Sequence, residues 1–296
     1  MTTGRKERST AATAALSGNN GFSLISNEKL LQLYSSLVRC SMIEKRVRLL
    51  SERRGLAGNG NAVTGREAGA VGVAIDLMPE DVAVSSSGDF IVKVIRGDSL
   101  TSVFSSLFAR SVDPAPANSF SNRIETAMSA ALAGKTEMKG RIAVVFGNEE
   151  SSSSAIWHEA LVNAGAACLP IIFVGYSGHA NGPANGGAQS TPENVGLRTQ
   201  EHGIPVIPVD ASDLVAIYRV ATESVAHARK GNGASLIHCV TLHSESRAEI
   251  DPILKMESYL TRKGLFSEEL KREVAGGIGK ELDAAIEFAG KRASSN

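Results

Sequence analysis

From Arg141 onward the chain alternates between short apolar runs and helical stretches, and this rhythm restricts the fold more than any other feature of the sequence. The runs are "RIAVVFG", "LPIIFVG", "GIPVIPVD" and "ASLIHCVTLH", with helical patterns over Ala155–Ala167 and Leu214–Lys230 among them. Runs that are apolar at consecutive positions and rich in β-branched residues read as strands buried on both faces. Strands joined through helices run parallel, by right-handed crossovers. The chain is therefore predicted to be α/β, a mostly parallel sheet flanked by helices. Ligands of such sheets bind beyond the carboxyl ends of the strands. That rule nominates the corners after Phe146, Val174, Val209 and Thr241.

Ahead of the sheet, Ser26 is placed to cap a long helix from about Glu28 to Arg54, because Leu30, Leu33, Tyr34, Leu37, Val38, Met42 and Leu49 recur at helical spacing. This is an N-terminal helical arm with an apolar docking face. In "GREAGAVGVAIDLMPED" the small residues Ala68, Gly69, Ala70, Gly72 and Ala74 make a helix that another element can approach closely, and Pro79 marks its exit. "VAVSSSGD" reads as a short strand and turn, and Phe90–Ile95, Leu100–Phe108 and Ile124–Leu132 as helices. Two charged helices, Asp251–Lys263 and Ser267–Ala289, close the chain. Residues 1–22 are expected to be a disordered tail, and 23–296 a single domain.

The 31 basic residues balance 31 acidic ones, which leaves no electrostatic footprint for nucleic acid or an anionic membrane. No apolar run reaches the roughly 18 residues of a membrane span. Cys40, Cys168 and Cys239 are far apart and odd in number, which argues against a disulfide framework or a zinc cluster and fits a reducing cytoplasm. The Arg, Ser and Thr of the tail also suit an organelle transit peptide.

The corner after Phe146 reads Gly147-Asn148-Glu149-Glu150 and then four serines. The two acids fit the first turn of a helix, favoured by its dipole, with Ser153 or Ser154 as cap. Free N–H groups at the same helix start are able to hold an anion, which two nearby carboxylates oppose. Of the six histidines, His158, His227 and His238 fall in helices or a strand, where packing or capping explains them, and His202 lies at a helix end. His179, in the Gly/Asn-rich loop, and His243, beyond a strand's carboxyl end, are better placed for chemistry. No Gly-x-Ser-x-Gly elbow, Gly-x-Gly-x-x-Gly turn or P-loop is present.

Six segments, read in order, resemble the alpha subunit of the thiamine-diphosphate-dependent 2-oxo acid dehydrogenases, the E1 component of the pyruvate, branched-chain and acetoin complexes. They are "LLQLYSSLVRCSMIEKRVRLL", "TGREAGAVGVAIDLMPEDVAVSS", "RIAVVFG", "HEALVNAGAACLPIIFVG", the long stretch from "HGIPVIPVD" to "CVTLH", and "DPILKMESYL". The resemblance implies the thiamine-diphosphate-binding fold, an E1 beta-like partner chain in a heterotetramer or self-association as a homodimer, and a cofactor lying between chains. It implies oxidative decarboxylation of a 2-oxo acid, with thiamine diphosphate and magnesium as cofactors.

That family grips magnesium and the diphosphate with Gly-Asp-Gly after one strand and Asn-Asn after the next. By position, this puts Gly147, Asn148, Glu149 and Ser177 at the cofactor, with Asn148 and Ser177 as metal ligands. Magnesium wants six oxygen ligands, at least one of them charged. Here Asn148 is neutral, Glu149 replaces a glycine, and Ser177-Gly178 stands for the asparagine pair. The Gly-rich covering segment is reduced to "ARSVDPAPANSFSNRIE", the Arg-Asp-His stretch to "SSSGDFIVKVIRG", and the active-site loop to "HSESRAEIDP", which keeps His243, Ser244 and Arg247. The expected function is a divergent E1-alpha-like component with impaired or lost cofactor binding, acting as a structural or regulatory subunit. The alternative is an active alpha subunit that binds thiamine diphosphate and magnesium through the altered ligands.

Overall fold

The computed structural model describes residues 25–53, 66–85, 90–109, 120–137, 140–147, 155–177, 203–240 and 251–294. Five parallel strands form one sheet: β1 (Val82–Ser85), β2 (Ala143–Phe146), β3 (Ile171–Ser177), β4 (Val206–Asp210) and β5 (Ser235–Val240). Their order across the sheet is β1-β2-β3-β5-β4. The helices are α1 (Asn27–Arg53), α2 (Arg66–Ala74), α3 (Phe90–Ile95), α4 (Leu100–Ala109), α5 (Phe120–Glu137), α6 (Ala155–Ala166), α7 (Leu214–Arg229), α8 (Pro252–Arg262) and α9 (Glu268–Ser294). The expected parallel α/β architecture, the N-terminal arm and the two C-terminal helices are all present. Among the described residues no helix is long and apolar enough to cross a membrane.

The two-residue period of the strands divides the core. Ala143, Val145, Ile171, Phe173 and Leu236 point to the face covered by α5 and α6, where Trp157 is buried against Phe173 and Phe120. Val144, Phe146, Ile172, Val174, Tyr176, Ile237 and Cys239 point to the other face, covered by α2 and α7 with α1 beyond them. The chain enters β2 through α5 and β3 through α6, both on the first face, while α3 and α4, which precede α5, pack with the second face; it then returns from β4 to β5 through α7, also on the second. Right-handed crossovers require this change of face when the direction of travel reverses.

α5 is longer than its apolar pattern predicts, by four residues at its start and five at its end. Tertiary contacts extend it: Phe120 stacks on Trp157, and Lys135 donates to the carbonyl of Ala167 at 2.7 Å. α2 is short but wholly buried in its core-facing part, and its glycines explain how closely it packs. A Cβ on Gly69 would lie 2.1 Å from the Tyr176 hydroxyl, and one on Gly72 would lie 2.7 Å from Ile217 of α7.

Polar groups fasten the pieces. Asp81, just before β1, is fully buried and accepts both Arg229 guanidinium nitrogens at 3.1 and 2.6 Å, with the N–H groups of Met78 at 2.7 Å and Ile142 at 3.1 Å. A buried carboxylate with four donors is satisfied. This joint lies at the amino end of the sheet and binds α7 to β1 and β2. On α1, Tyr34 donates to Glu257 of α8 at 3.0 Å, and Lys271 of α9 donates to the other oxygen of the same carboxylate at 2.9 Å. Arg39 and Arg46 of α1 pair with Glu281 and Asp283 of α9 at 2.6 and 2.7 Å. Ser26 caps α1 as its sequence position predicts, accepting from Lys29 N–H at 3.2 Å.

Candidate functional site at the carboxyl ends of the strands

Parallel strands present their carboxyl ends on one edge, so Ser85, Phe146, Ser177, Asp210 and Val240 lie along the same border of the sheet. Gly147 extends β2 by one residue, its N–H donating to the carbonyl of Val174 at 2.9 Å. Asn148, Glu149, His179 and His243 fall outside the described residues, as do the serines that follow Glu150. Ser177 is placed as the last residue of β3, its backbone paired with Val240. Of the residues predicted to form the site, Gly147 and the backbone of Ser177 are thus located on the nominated edge.

The described part of the edge carries three features whose contacts the sequence patterns did not reveal. At the end of β3, Tyr176 turns toward α2, is buried, and donates its hydroxyl to the carbonyl of Arg66 at 3.1 Å. Burial raises its phenol well above the ordinary value, with neighbouring Cys239 adding to the rise. Tyr176 thus fills the space between the sheet edge and the first turn of α2 as a neutral group. Its place one residue before Ser177 was the available signal.

At the end of β4, Asp210 accepts from the N–H of Ser212 at 2.9 Å and from its hydroxyl at 2.7 Å, and it binds the ammonium of Lys255 on α8. The same ammonium lies 3.2 Å from the Ser212 hydroxyl. Burial works to raise the Asp210 carboxyl, but the hydrogen bonds from Lys255 and Ser212 and the Lys255 charge outweigh it and hold the acid below its usual range. Ser212 is therefore a donor to a carboxylate beside a cation, an arrangement that leaves no free base to activate the hydroxyl. The group is a clasp between β4 and α8, and Asp213 next to it caps α7 through the N–H of Ala216 at 2.9 Å.

The third feature is β5 itself. His238 is buried between Gly175 of β3 and Pro208 of β4 in register, and burial lowers its imidazole below the ordinary value, so it is neutral at neutral pH. Burial also pushes the Cys239 thiol up to about 12, which keeps it protonated and unreactive.

A magnesium ion needs charged oxygen ligands converging on one point. Among the described residues no three acidic, histidine or cysteine side chains are grouped to hold a metal. The one carboxylate on the described strand ends, Asp210, is already neutralised by Lys255. These residues do not by themselves fit a magnesium–diphosphate group.

The dehydrogenase E1 component family model matches residues 35–246, which include all five strands. Curated relatives agree with it. The alpha subunit of 2-oxoisovalerate dehydrogenase from Bacillus subtilis strain 168 is 27% identical over 303 residues, covering 90% of this chain and 92% of that protein. The alpha subunit of acetoin:2,6-dichlorophenolindophenol oxidoreductase from the same strain is 25% identical over 252 residues, 77% of this chain and 74% of that one. The pyruvate dehydrogenase E1 component subunit alpha of Staphylococcus epidermidis is 26% identical over 296 residues, 90% and 79% of the two chains. Among solved structures, transketolase from Leishmania mexicana aligns over 92% of this chain at 16% identity, with a TM-score of 0.49. A putative thiamin diphosphate-dependent enzyme from Mycobacterium smegmatis aligns over 62% of it at 15% identity, with a TM-score of 0.41. The chain spans 48% and 33% of those two solved chains.

Proposed function

Since the chain belongs to the dehydrogenase E1 component family, we propose that it is an E1-alpha-like subunit whose binding of thiamine diphosphate and magnesium is impaired or lost, and that it serves an E1 assembly as a structural or regulatory subunit. The reading takes residues 23–296 as one domain and an E1 beta-like chain, or a second copy of this one, as its partner. The observation that carries it is the charge at the strand ends. Asp210, the carboxylate the described edge does offer, is committed to Lys255 and Ser212. At the position of the metal-binding corner the sequence supplies the neutral amide of Asn148.

Losing the charged ligand costs more than one contact, because a divalent ion gives up hydration only where oxygen charge replaces it. Glu149 and Glu150 stand beside Asn148 in the sequence and are the residues through which an active alternative would operate. Two of the relatives' names concern 2-oxo acids, 2-oxoisovalerate and pyruvate, and the third concerns acetoin, a hydroxy ketone; a 2-oxo acid is the substrate class we take for the assembly this chain would join.

The test is co-expression with an E1 beta-like chain, followed by size-exclusion chromatography and an assay of 2-oxo acid decarboxylation with cofactor supplied. A stable complex without turnover supports the proposal. A monomer that ignores the beta-like chain removes the subunit role, and turnover reduced by Asn148→Ala establishes the active alternative instead.

A further inference from the structure

At the carboxyl end of β4 a cation is already held, and it belongs to the chain. The ammonium of Lys255, one turn into α8, donates to Oδ2 of Asp210 and, at 3.2 Å, to Oγ of Ser212. The other carboxylate oxygen, Oδ1, accepts the Ser212 N–H at 2.9 Å and its hydroxyl at 2.7 Å. The serine hydrogen therefore goes to the acid, and the serine oxygen accepts from the ammonium. Oxygens of two residues thus converge on the point where the lysine nitrogen stands. We propose that this point is a site for a small monovalent cation, which Lys255 fills from within and so closes to external ions, and that an ammonium ion takes its place once the lysine is shortened.

The oxygens are held in place by contacts other than the lysine. Asp210 is fixed by pairing with Val240 of β5, by the two Ser212 donors on its carboxylate, and by the Asp213 N–H, which donates to its carbonyl at 3.0 Å. The start of α8 is fixed by its Asp251 cap, which accepts from the Ile253 N–H at 2.9 Å, and by Pro252. Beside the ammonium lies a cleft of about 40 Å³ lined in part by Ser212, Asp213, Lys255, Tyr259 and Arg262, large enough for a water molecule that a bound ion would keep.

Charge decides which ion fits. Around the cleft Asp210 and Asp213 are balanced by Lys255 and Arg262. Without Lys255 two carboxylates face one guanidinium, and the excess of one negative charge favours a monocation. A divalent ion would need more charged oxygen than this, because Asp213 is engaged in capping α7. The carboxylate of Asp210 is 21% exposed, so an external ion reaches it without crossing the core. The site is three strands away from the corner after Phe146, about 14 Å across the sheet, and does not depend on what that corner binds.

Chemical rescue of the full chain tests this. Lys255→Ala is unfolded by urea in ammonium chloride and, at equal ionic strength, in tetramethylammonium chloride, whose cation is bulky and has no N–H to donate. An ammonium ion bound by the folded variant alone lowers its unfolding constant by about tenfold at about nine times the dissociation constant. Tetramethylammonium is expected to have no such effect. The original chain, whose site is filled, and Lys255→Ala combined with Asp210→Asn, which lacks the charge, are expected to respond alike to the two salts. Lys255→Ser vacates the same point and serves where the alanine variant fails to fold. An equal response of the vacated variant to the two salts, or an ammonium effect of the same size in the original chain or the double variant, overturns the proposal.

Discussion

Replacing Gly69 with alanine separates helix propensity from steric fit, because the two effects have opposite signs there. On propensity alone, glycine to alanine inside a helix stabilises by about 0.5–1 kcal/mol. The new methyl would lie 2.1 Å from the Tyr176 hydroxyl oxygen and 2.9 Å from Cζ of its ring. The phenol is buried and bonded to the Arg66 carbonyl at 3.1 Å, so it does not swing aside without giving up that bond. The lost bond is worth about 0.5–1.5 kcal/mol. Overpacking adds about 1–3 kcal/mol. Together these exceed the propensity gain, and Gly69→Ala is expected to destabilise by about 0.5–4 kcal/mol in urea unfolding, read as a lower midpoint with an unchanged slope. At Gly276 and Gly277 in α9 an added methyl would meet nothing within 4 Å, so alanine there is the control. Each should gain about 0.5–1 kcal/mol. Tyr176→Phe removes the atom nearest the clash, so it should cost less in the Gly69→Ala background than alone. A Gly69→Ala chain as stable as the original, or additive effects of the two changes, would refute the packing of Tyr176 beneath α2.

Two further perturbations probe the polar joints. Arg229→Ala leaves the Asp81 carboxylate, 0% exposed, with its two backbone donors alone, and chemical denaturation should show a loss of about 3–5 kcal/mol; a loss below about 1 kcal/mol would mean that the pair is solvated rather than buried. At the β4 clasp the folded Asp210 acid is held below its ordinary value, so its contribution is present above the usual carboxylate range and is lost as pH falls through the lowered value. Lys255 is partly exposed, which limits the effect of Lys255→Met to about 1 kcal/mol or less at neutral pH, and the difference from the original chain should shrink in acid titrations of stability.

The fold was legible in the sequence because its signals are periodic. Apolar runs such as Ile142–Phe146 and Pro170–Val174 alternate with helices, and the two-residue alternation of β2, β3 and β5 sets which side chains face which layer. The small residues of α2 likewise announced a close approach, which the contacts of Gly69 and Gly72 confirm. Pairings between distant residues were not legible. Asp81 and Arg229 are 148 positions apart, and nothing local to either marks the other. Lys255 sits one turn into α8, where a lysine is usually solvated, and only the return of α8 to β4 gives it Asp210. At the candidate site, position alone was readable: Gly147 and Ser177 stand on the predicted edge, while Asn148, Glu149, His179 and His243 lie outside the described residues.

The central claim is that this member of the family has weakened its hold on magnesium and thiamine diphosphate. Thermal unfolding with and without both, on the chain alone and on its complex with a beta-like chain, tests it most directly. A ligand at a hundredfold its dissociation constant adds about 2.7 kcal/mol, which moves the midpoint visibly. The account predicts no shift in either sample. A clear shift in either, abolished by Asn148→Ala, would contradict it.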